Sequence, residues 1–249
     1  MPSHPVVLSW APSDYPAGAA ARIADAIAAA IERTGHCHLA LTGGGTPRPV
    51  YRALASLPVA WDRVTLWFGD ERRVPADDPA SNFRMAREAL LDHLDAPPAA
   101  VHPMDGADAD AWSAARGYAN ALPPALDVLL LGIGADGHTA SLFPGAASLA
   151  EHARRVIPAS SPVPPHERLT ITPPVIAAAR DCLVLATGAG KRDAVARALA
   201  PGADPLQVPA ALVRNASWLL DTDAAAGLPD GVAMPQATGL HATHGSSRG

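Results

Sequence analysis

A chain of 249 residues, 49% hydrophobic and 17% charged, carries enough apolar material for a sizeable core and is not a disordered segment. Nineteen Lys and Arg face 24 Asp and Glu, for a formal charge of −5. Without a basic run, neither nucleic acid nor a membrane surface is an expected partner, although a local cationic pocket for an anionic metabolite stays open. The longest apolar runs, such as Val128 to Leu131, fall far short of the ~20 residues that span a bilayer. The N-terminus shows no cationic stretch leading into an apolar one, so no signal peptide is expected. Cys37 and Cys182 both lie in apolar runs and read as buried reduced thiols. A cytoplasmic location is the expectation.

Strand-like apolar runs alternate with Ala-rich helical stretches along the chain, which predicts an α/β fold with a mostly parallel sheet flanked by helices. A strand at 6–10 precedes a helix at 16–33 and a strand at 37–41. A Gly-rich turn follows, and Thr46-Pro47 reads as an N-cap with proline in the first helical position. A strand is expected at 64–69, a polar loop at 70–80, and a helix capped by Ser81 running to about residue 94. Next come a helix at 107–122 and a strand at 127–131. Later strands fall at 169–172, 182–187 and 217–220, with a helix at 191–199. Residues 1–234 form one predicted domain; 235–249, with His241 and His244, lack periodicity and read as a disordered tail.

Four loops at predicted strand ends carry unusual chemistry, and in an open parallel sheet ligands bind at those ends. They are Thr42-Gly43-Gly44-Gly45-Thr46-Pro47, Gly69-Asp70-Glu71-Arg72-Arg73, Gly132 through Thr139, and Thr187-Gly188-Ala189-Gly190-Lys191. Three consecutive glycines ahead of a helix start let backbone N–H groups converge on an anion. No Lys-Ser or Lys-Thr follows them, so this is not a P-loop.

Gly132, Gly134 and Gly137 match the dinucleotide fingerprint in spacing, but Pro144-Gly145 breaks the chain where its helix must run, and no acidic residue closes the unit. Gly190-Lys191 is an equally partial match to a nucleotide loop, with Arg192 at the Ser/Thr position and Leu185 in place of the first glycine. His138, in a Gly-rich loop two residues from Asp136, fits a general base whose ring a carboxylate orients; a histidine that merely bonds the turn is the plain alternative. Ser141 lacks a G-x-S-x-G elbow and is not read as a nucleophile.

Arg72, Arg73, Arg168 and Lys191 are candidate anion ligands. A structural ion-pair cluster is the ordinary explanation for Arg72 beside Asp70 and Glu71, whereas Lys191 at a helix start sits against the dipole unless an anion compensates it. His36-Cys37-His38 has the composition of a metal cluster, but strand alternation sends Cys37 to the opposite face from the two histidines. No other metal spacing is present. The N-x-S match at Asn215 carries no meaning in a cytoplasmic protein.

Taken together, the glycine loop, Asp70-Glu71-Arg72-Arg73-Val74-Pro75, Ser81-Asn82, and Leu131 through the Asp136-Gly137-His138-Thr139-Ala140-Ser141-Leu142-Phe143-Pro144-Gly145 stretch resemble the 6-phosphogluconolactonase family. Arg168-Leu169-Thr170-Ile171-Thr172 and Gly188 to Lys191 continue the match in order, over roughly residues 5–220. The resemblance implies a Rossmann-like sheet shared with glucosamine-6-phosphate deaminase and hydrolysis of 6-phosphoglucono-1,5-lactone in the pentose phosphate pathway, without cofactor or metal. It implies that His138 is the base for the attacking water. Gly43, Gly44 and Thr46, with Arg72, Arg168 and Lys191, would hold the phosphate and sugar hydroxyls. Asp70 and Asp136 would orient the substrate or the imidazole, their separate parts left open.

The deaminase branch resembles the loop as far as His138 but continues into an Asn-Glu-Pro ending with a ring-opening glutamate; here Ser141-Leu142-Phe143-Pro144 offers no acid. A non-catalytic sugar-phosphate sensor would have no use for His138. Either a monomer or a homodimer is compatible with the sequence.

Overall fold

The computed structural model describes residues 4–228; the predicted tail at 235–249 lies outside them. In chain order the elements are β1 (Val6–Trp10), α1 (Tyr15–Thr34), β2 (Cys37–Leu41), α2 (Pro47–Ala55), β3 (Val64–Phe68), β4 (Asp70–Arg72), α3 (Asn82–Ala89), β5 (Ala100–Val101), α4 (Ala111–Ala121) and β6 (Val128–Gly132). They continue with β7 (Val156–Ser160), β8 (Glu167–Ile171), α5 (Pro173–Ala178), β9 (Asp181–Ala186), α6 (Arg192–Leu199), β10 (Ser217–Asp221) and α7 (Thr222–Ala225), with short 3₁₀ turns between some of them.

Seven strands form one parallel sheet in the order β1-β10-β9-β6-β2-β3-β5. Strands β3 and β10 are buried at every position and β2, β6 and β9 at all but one. Burial on both faces explains their near-continuous apolar runs. Truncating a central leucine such as Leu39 or Leu219, both fully buried, removes about 2–5 kcal/mol of stability. Helix α1 packs across β1, β2, β6, β9 and β10 with Ala19, Ala20, Ile23, Ala26, Ile27 and Ala30 buried at i, i+3, i+4 spacing. Gly35 stops it in the left-handed region, φ 79°, its N–H donating to the Ile31 carbonyl. Both cysteines are free and buried.

From β2 the chain moves outward through β3 to β5, then returns to β6 and proceeds the other way through β9 to β10. The topological switch point therefore lies between β2 and β6, which places the glycine loop beside the loop that carries His138.

The polar loop expected at 70–80 instead begins with β4, which pairs with β8 in a second sheet, β4-β8-β7, antiparallel throughout. Gly69 joins the two sheets: its N–H donates to the Leu41 carbonyl and its own carbonyl accepts from Ile171. Arg168 thus sits mid-strand in this second sheet and not at the carboxyl end of a parallel strand. The Ser81 cap is formed, its hydroxyl accepting from the Arg84 N–H, but α3 ends at Ala89 and a separate 3₁₀ turn continues at Leu91–His93. Helix α4 begins only after Asp110, which caps it through the Trp112 N–H.

Candidate functional site

A cleft of about 360 Å³ opens at the switch point. Its walls include Gly43, Gly44, Thr46, Asp70, Arg72, Asn82, His138, Phe143, Arg168 and Lys191. Asp136 bonds the His138 imidazole, so these candidates meet at one place; Arg73, the remaining candidate anion ligand, does not line the cleft.

The glycine loop is anchored from below by the buried Tyr51, whose hydroxyl donates to the Thr42 carbonyl and accepts from the Thr42 N–H. Gly44 takes φ 101°, which L side chains rarely adopt. The N–H groups of Gly43, Gly44, Gly45 and Thr46 have no acceptor among the described residues, so four backbone donors stand ready for an anion at the start of α2. Thr46 holds the N-cap position without capping; its hydroxyl meets that of Thr187, 3.1 Å away, and ties the glycine loop to the end of β9. Gly188, at φ 85°, donates its N–H to both oxygens of Asp221.

Strands β4 and β8 face Asp70 against Thr170 and Arg72 against Arg168. Like charges directly opposite on an antiparallel pair are unfavourable. Burial, and then Arg72, push the Arg168 guanidinium down from its ordinary value, against the pull of Asp70 and Glu71. Arg168 is held by the Pro165 carbonyl and Arg72 by the Ala80 carbonyl. The ion-pair explanation for the Arg72-Arg73 run divides between the two residues: Arg73 pairs with Glu167, while Arg72 has no carboxylate partner among the described residues.

Lys191 is half-buried, not exposed as its place at a helix start suggests. Burial lowers its ammonium pKa, with Asp136 acting in the opposite sense. Among the described residues neither Arg72, Arg168 nor Lys191 makes an ion pair, whereas eight arginines elsewhere do. Three unpaired cations around one cleft call for an anion to neutralise them.

No helix follows Gly137; the chain turns through Thr139 and Leu142 instead, as the Pro144-Gly145 break requires. Asp136 Oδ1 lies 2.6 Å from His138 Nδ1 and also accepts the His138 backbone N–H at 3.1 Å. Burial raises the Asp136 pKa, but the His138 N–H and imidazole outweigh it and hold the carboxyl below its ordinary range. With Nδ1 engaged, Nε2 has no partner among the described residues. The Phe143 ring packs 4.7 Å from the imidazole. Ala140 takes φ 47°, a left-handed conformation that non-glycine residues rarely hold.

Asp70 and Asp136 are thereby separated in their contacts. Asp70 accepts from Ser141 Oγ at 2.7 Å and from Asn82 Nδ2 at 3.1 Å, and does not bond the imidazole. Glu71, buried behind it, accepts from the N–H groups of Arg72, Asn82 and Phe83 and from the Ser81 hydroxyl. The sequence reading missed these contacts of Ser141 and Asn82. Ser141 is 71 positions from Asp70, and no local signal marks the pairing. His36 and His38 share a face as alternation requires, but His36 bonds Thr65 and His38 accepts from Trp67. Among the described residues no group of His, Cys, Asp and Glu could hold a metal ion, and no helix is long and apolar enough to cross a membrane.

The family described as glucosamine-6-phosphate isomerases/6-phosphogluconolactonase matches residues 11–220. The 6-phosphogluconolactonase of Mycobacterium tuberculosis is 44% identical over 232 residues, covering 86% of this chain and 94% of that protein. The solved 6-phosphogluconolactonase of Trypanosoma brucei superposes with a TM-score of 0.80 at 33% identity, over 90% of this chain and 99% of that one. A monomeric glucosamine-6-phosphate deaminase superposes with a TM-score of 0.76 at 26% identity, over 89% and 99%. The chain belongs to the glucosamine-6-phosphate isomerase/6-phosphogluconolactonase family.

Proposed function

We propose that the chain hydrolyses 6-phosphoglucono-1,5-lactone to 6-phosphogluconate, with His138 as general base. The observation that carries this reading is the Asp136–His138 pair, 2.6 Å apart, in a cleft that holds three unpaired cations and four free backbone N–H groups. Asp136 fixes the proton on Nδ1 and leaves Nε2 as the acceptor toward the cleft. A water there gives its proton to Nε2 as its oxygen attacks the lactone carbonyl. The tetrahedral intermediate then collapses, the bond from C1 to the ring oxygen breaks, and the imidazolium returns the proton to that oxygen. A lactone is an activated ester, so positioning and one base suffice without a covalent nucleophile. The N–H groups of Gly43, Gly44 and Thr46, with Arg72, Arg168 and Lys191, hold the phosphate and sugar hydroxyls.

Glucosamine-6-phosphate deamination is the rival within the family. Phe143 weighs against it, because an apolar ring packs on His138 where the deaminase pattern has a ring-opening acid. The test is loss of 6-phosphogluconolactone, generated in situ, against its spontaneous hydrolysis, with glucosamine 6-phosphate in parallel. Accelerated lactone loss without ammonia release supports the proposal; ammonia release, or no acceleration, overturns it.

A further inference from the structure

Asn82 opens α3 and is 2% exposed. Its side-chain N–H groups donate to the Asp70 backbone carbonyl at 2.9 Å and to Asp70 Oδ1 at 3.1 Å. Both partners are acceptors only, so the amide nitrogen must face Asp70 and the amide oxygen must face the opposite way. That oxygen is buried and accepts no hydrogen bond among the described residues. It lies against Gly43: a Cβ placed there would fall 1.8 Å from Asn82 Oδ1, 2.2 Å from Cγ and 2.7 Å from Nδ2, its three nearest neighbours. Gly43 is not among the glycines at positive φ, so its backbone does not demand glycine. Asn82 demands it.

We propose that Asn82 is a positioning residue, a strut that sets how deeply the glycine loop sits and locks that loop to Asp70. The proposal rests on the reading of this cleft as a sugar-phosphate lactone site. A buried acceptor without a donor is unfavourable, and here it is tolerated between two walls of the cleft. One wall carries the free N–H groups of Gly43 to Thr46; the other carries Asp70, which is bonded in turn to Ser141 in the loop of His138. The amide thereby fixes the distance between the anion-binding backbone and the face that carries Arg72 and Arg168. It acts on substrate through those groups and not by touching the reacting atoms.

Size complementarity between positions 43 and 82 is the distinguishing test. Gly43→Ala, Asn82→Ser, Asn82→Ala and the two double variants are compared for kcat, for KM with the lactone, and for calorimetric Kd with 6-phosphogluconate. Gly43→Ala alone is expected to raise KM and Kd at least about tenfold with kcat within about threefold. Either substitution at Asn82, by removing the amide that the new methyl meets, returns the Gly43→Ala chain to within about threefold of the corresponding single Asn82 variant. Two serial partners keep the cycle readable if one fails to fold. Double variants as weak as the product of the singles, or a Gly43→Ala protein that binds like wild type, would overturn the strut. Calorimetry needs no turnover: rescue of binding without lactone hydrolysis retains the strut and removes the lactonase reading, and hydrolysis without rescue does the reverse.

Discussion

Gly134→Ala perturbs the proposed base without touching its chemistry. A Cβ at this position would fall 2.1 Å from His138 Nδ1, 2.3 Å from Cε1 and 2.4 Å from Asp136 Oδ1. Carbon contacts settle near about 3.5 Å or beyond, so the ring and the carboxylate must each retreat by about 1 Å or more. A displacement of about 1 Å in a reacting group costs on the order of 10²-fold in rate, or about 2.7 kcal/mol of barrier. Gly134 is not among the glycines at positive φ, so no backbone strain is added. The two side chains are about a third exposed, 33% and 41%, and can swing outward, so the stability loss belongs at the low end of overpacking, about 1 kcal/mol. Steady-state lactone hydrolysis, thermal unfolding and 6-phosphogluconate calorimetry read these quantities separately. The expected result is a fall of about 10²-fold in kcat with product affinity within about threefold, since the cations are not moved. Gly117→Ala, inside α4 with nothing within 4 Å of its Cβ, is the control and leaves activity unchanged. A Gly134→Ala enzyme with kcat within about threefold of wild type would refute the requirement that His138 and Asp136 sit as they do.

Other expectations follow from single contacts. Asp136→Asn keeps an oxygen opposite Nδ1 but removes the charge; screened at a partly exposed site this is about 1–2 kcal/mol, so kcat falls about five- to thirtyfold, and an unchanged kcat would deny Asp136 its orienting part. Lys191→Ala removes an unpaired cation and weakens 6-phosphogluconate binding about ten- to a hundredfold, measured by calorimetry; unchanged affinity removes Lys191 from the anion site. The His38 pKa is lowered from 6.5 by burial, then by His36 and His102 and against Asp127. A histidine kept neutral by the fold contributes stability that is present above the unfolded pKa and is lost as pH falls through the folded one. Because His38 Nδ1 accepts from Trp67 Nε1 at 3.2 Å, acidification below pH 6.5 is expected to lower the unfolding midpoint and alter tryptophan fluorescence. His38→Gln flattens both responses, and an unflattened fluorescence titration would assign the transition to another group.

All but one of the strands of the parallel sheet were legible because burial on both faces leaves near-continuous apolar runs, as in Val64–Phe68 and Asp181–Ala186. Of the second sheet only β8 was legible, through the strand expected at 169–172, and its pairing was not. Strand β4 is Asp-Glu-Arg, held extended by its pairing with β8, and β7 carries Pro158 on an edge where no inner ladder bond is lost. Strand β5 is only two residues long. Local chemistry was readable where the partners are near in sequence, as with Asp136 two positions from His138. It failed where a distant group competed. Thr46 looks like a cap until Thr187 takes its hydroxyl, and Asn82 and Ser141 become site residues only when Asp70 is brought between them.

The most direct test of the central claim is hydrolysis of 6-phosphogluconolactone by wild type and His138→Ala, each followed beside its calorimetric affinity for 6-phosphogluconate. The account predicts that wild type accelerates hydrolysis well above the spontaneous rate. The variant loses about 10²- to 10⁴-fold of that acceleration while its affinity changes less than about threefold. A variant that hydrolyses as fast as wild type, or loses affinity in step with rate, would contradict His138 as the base.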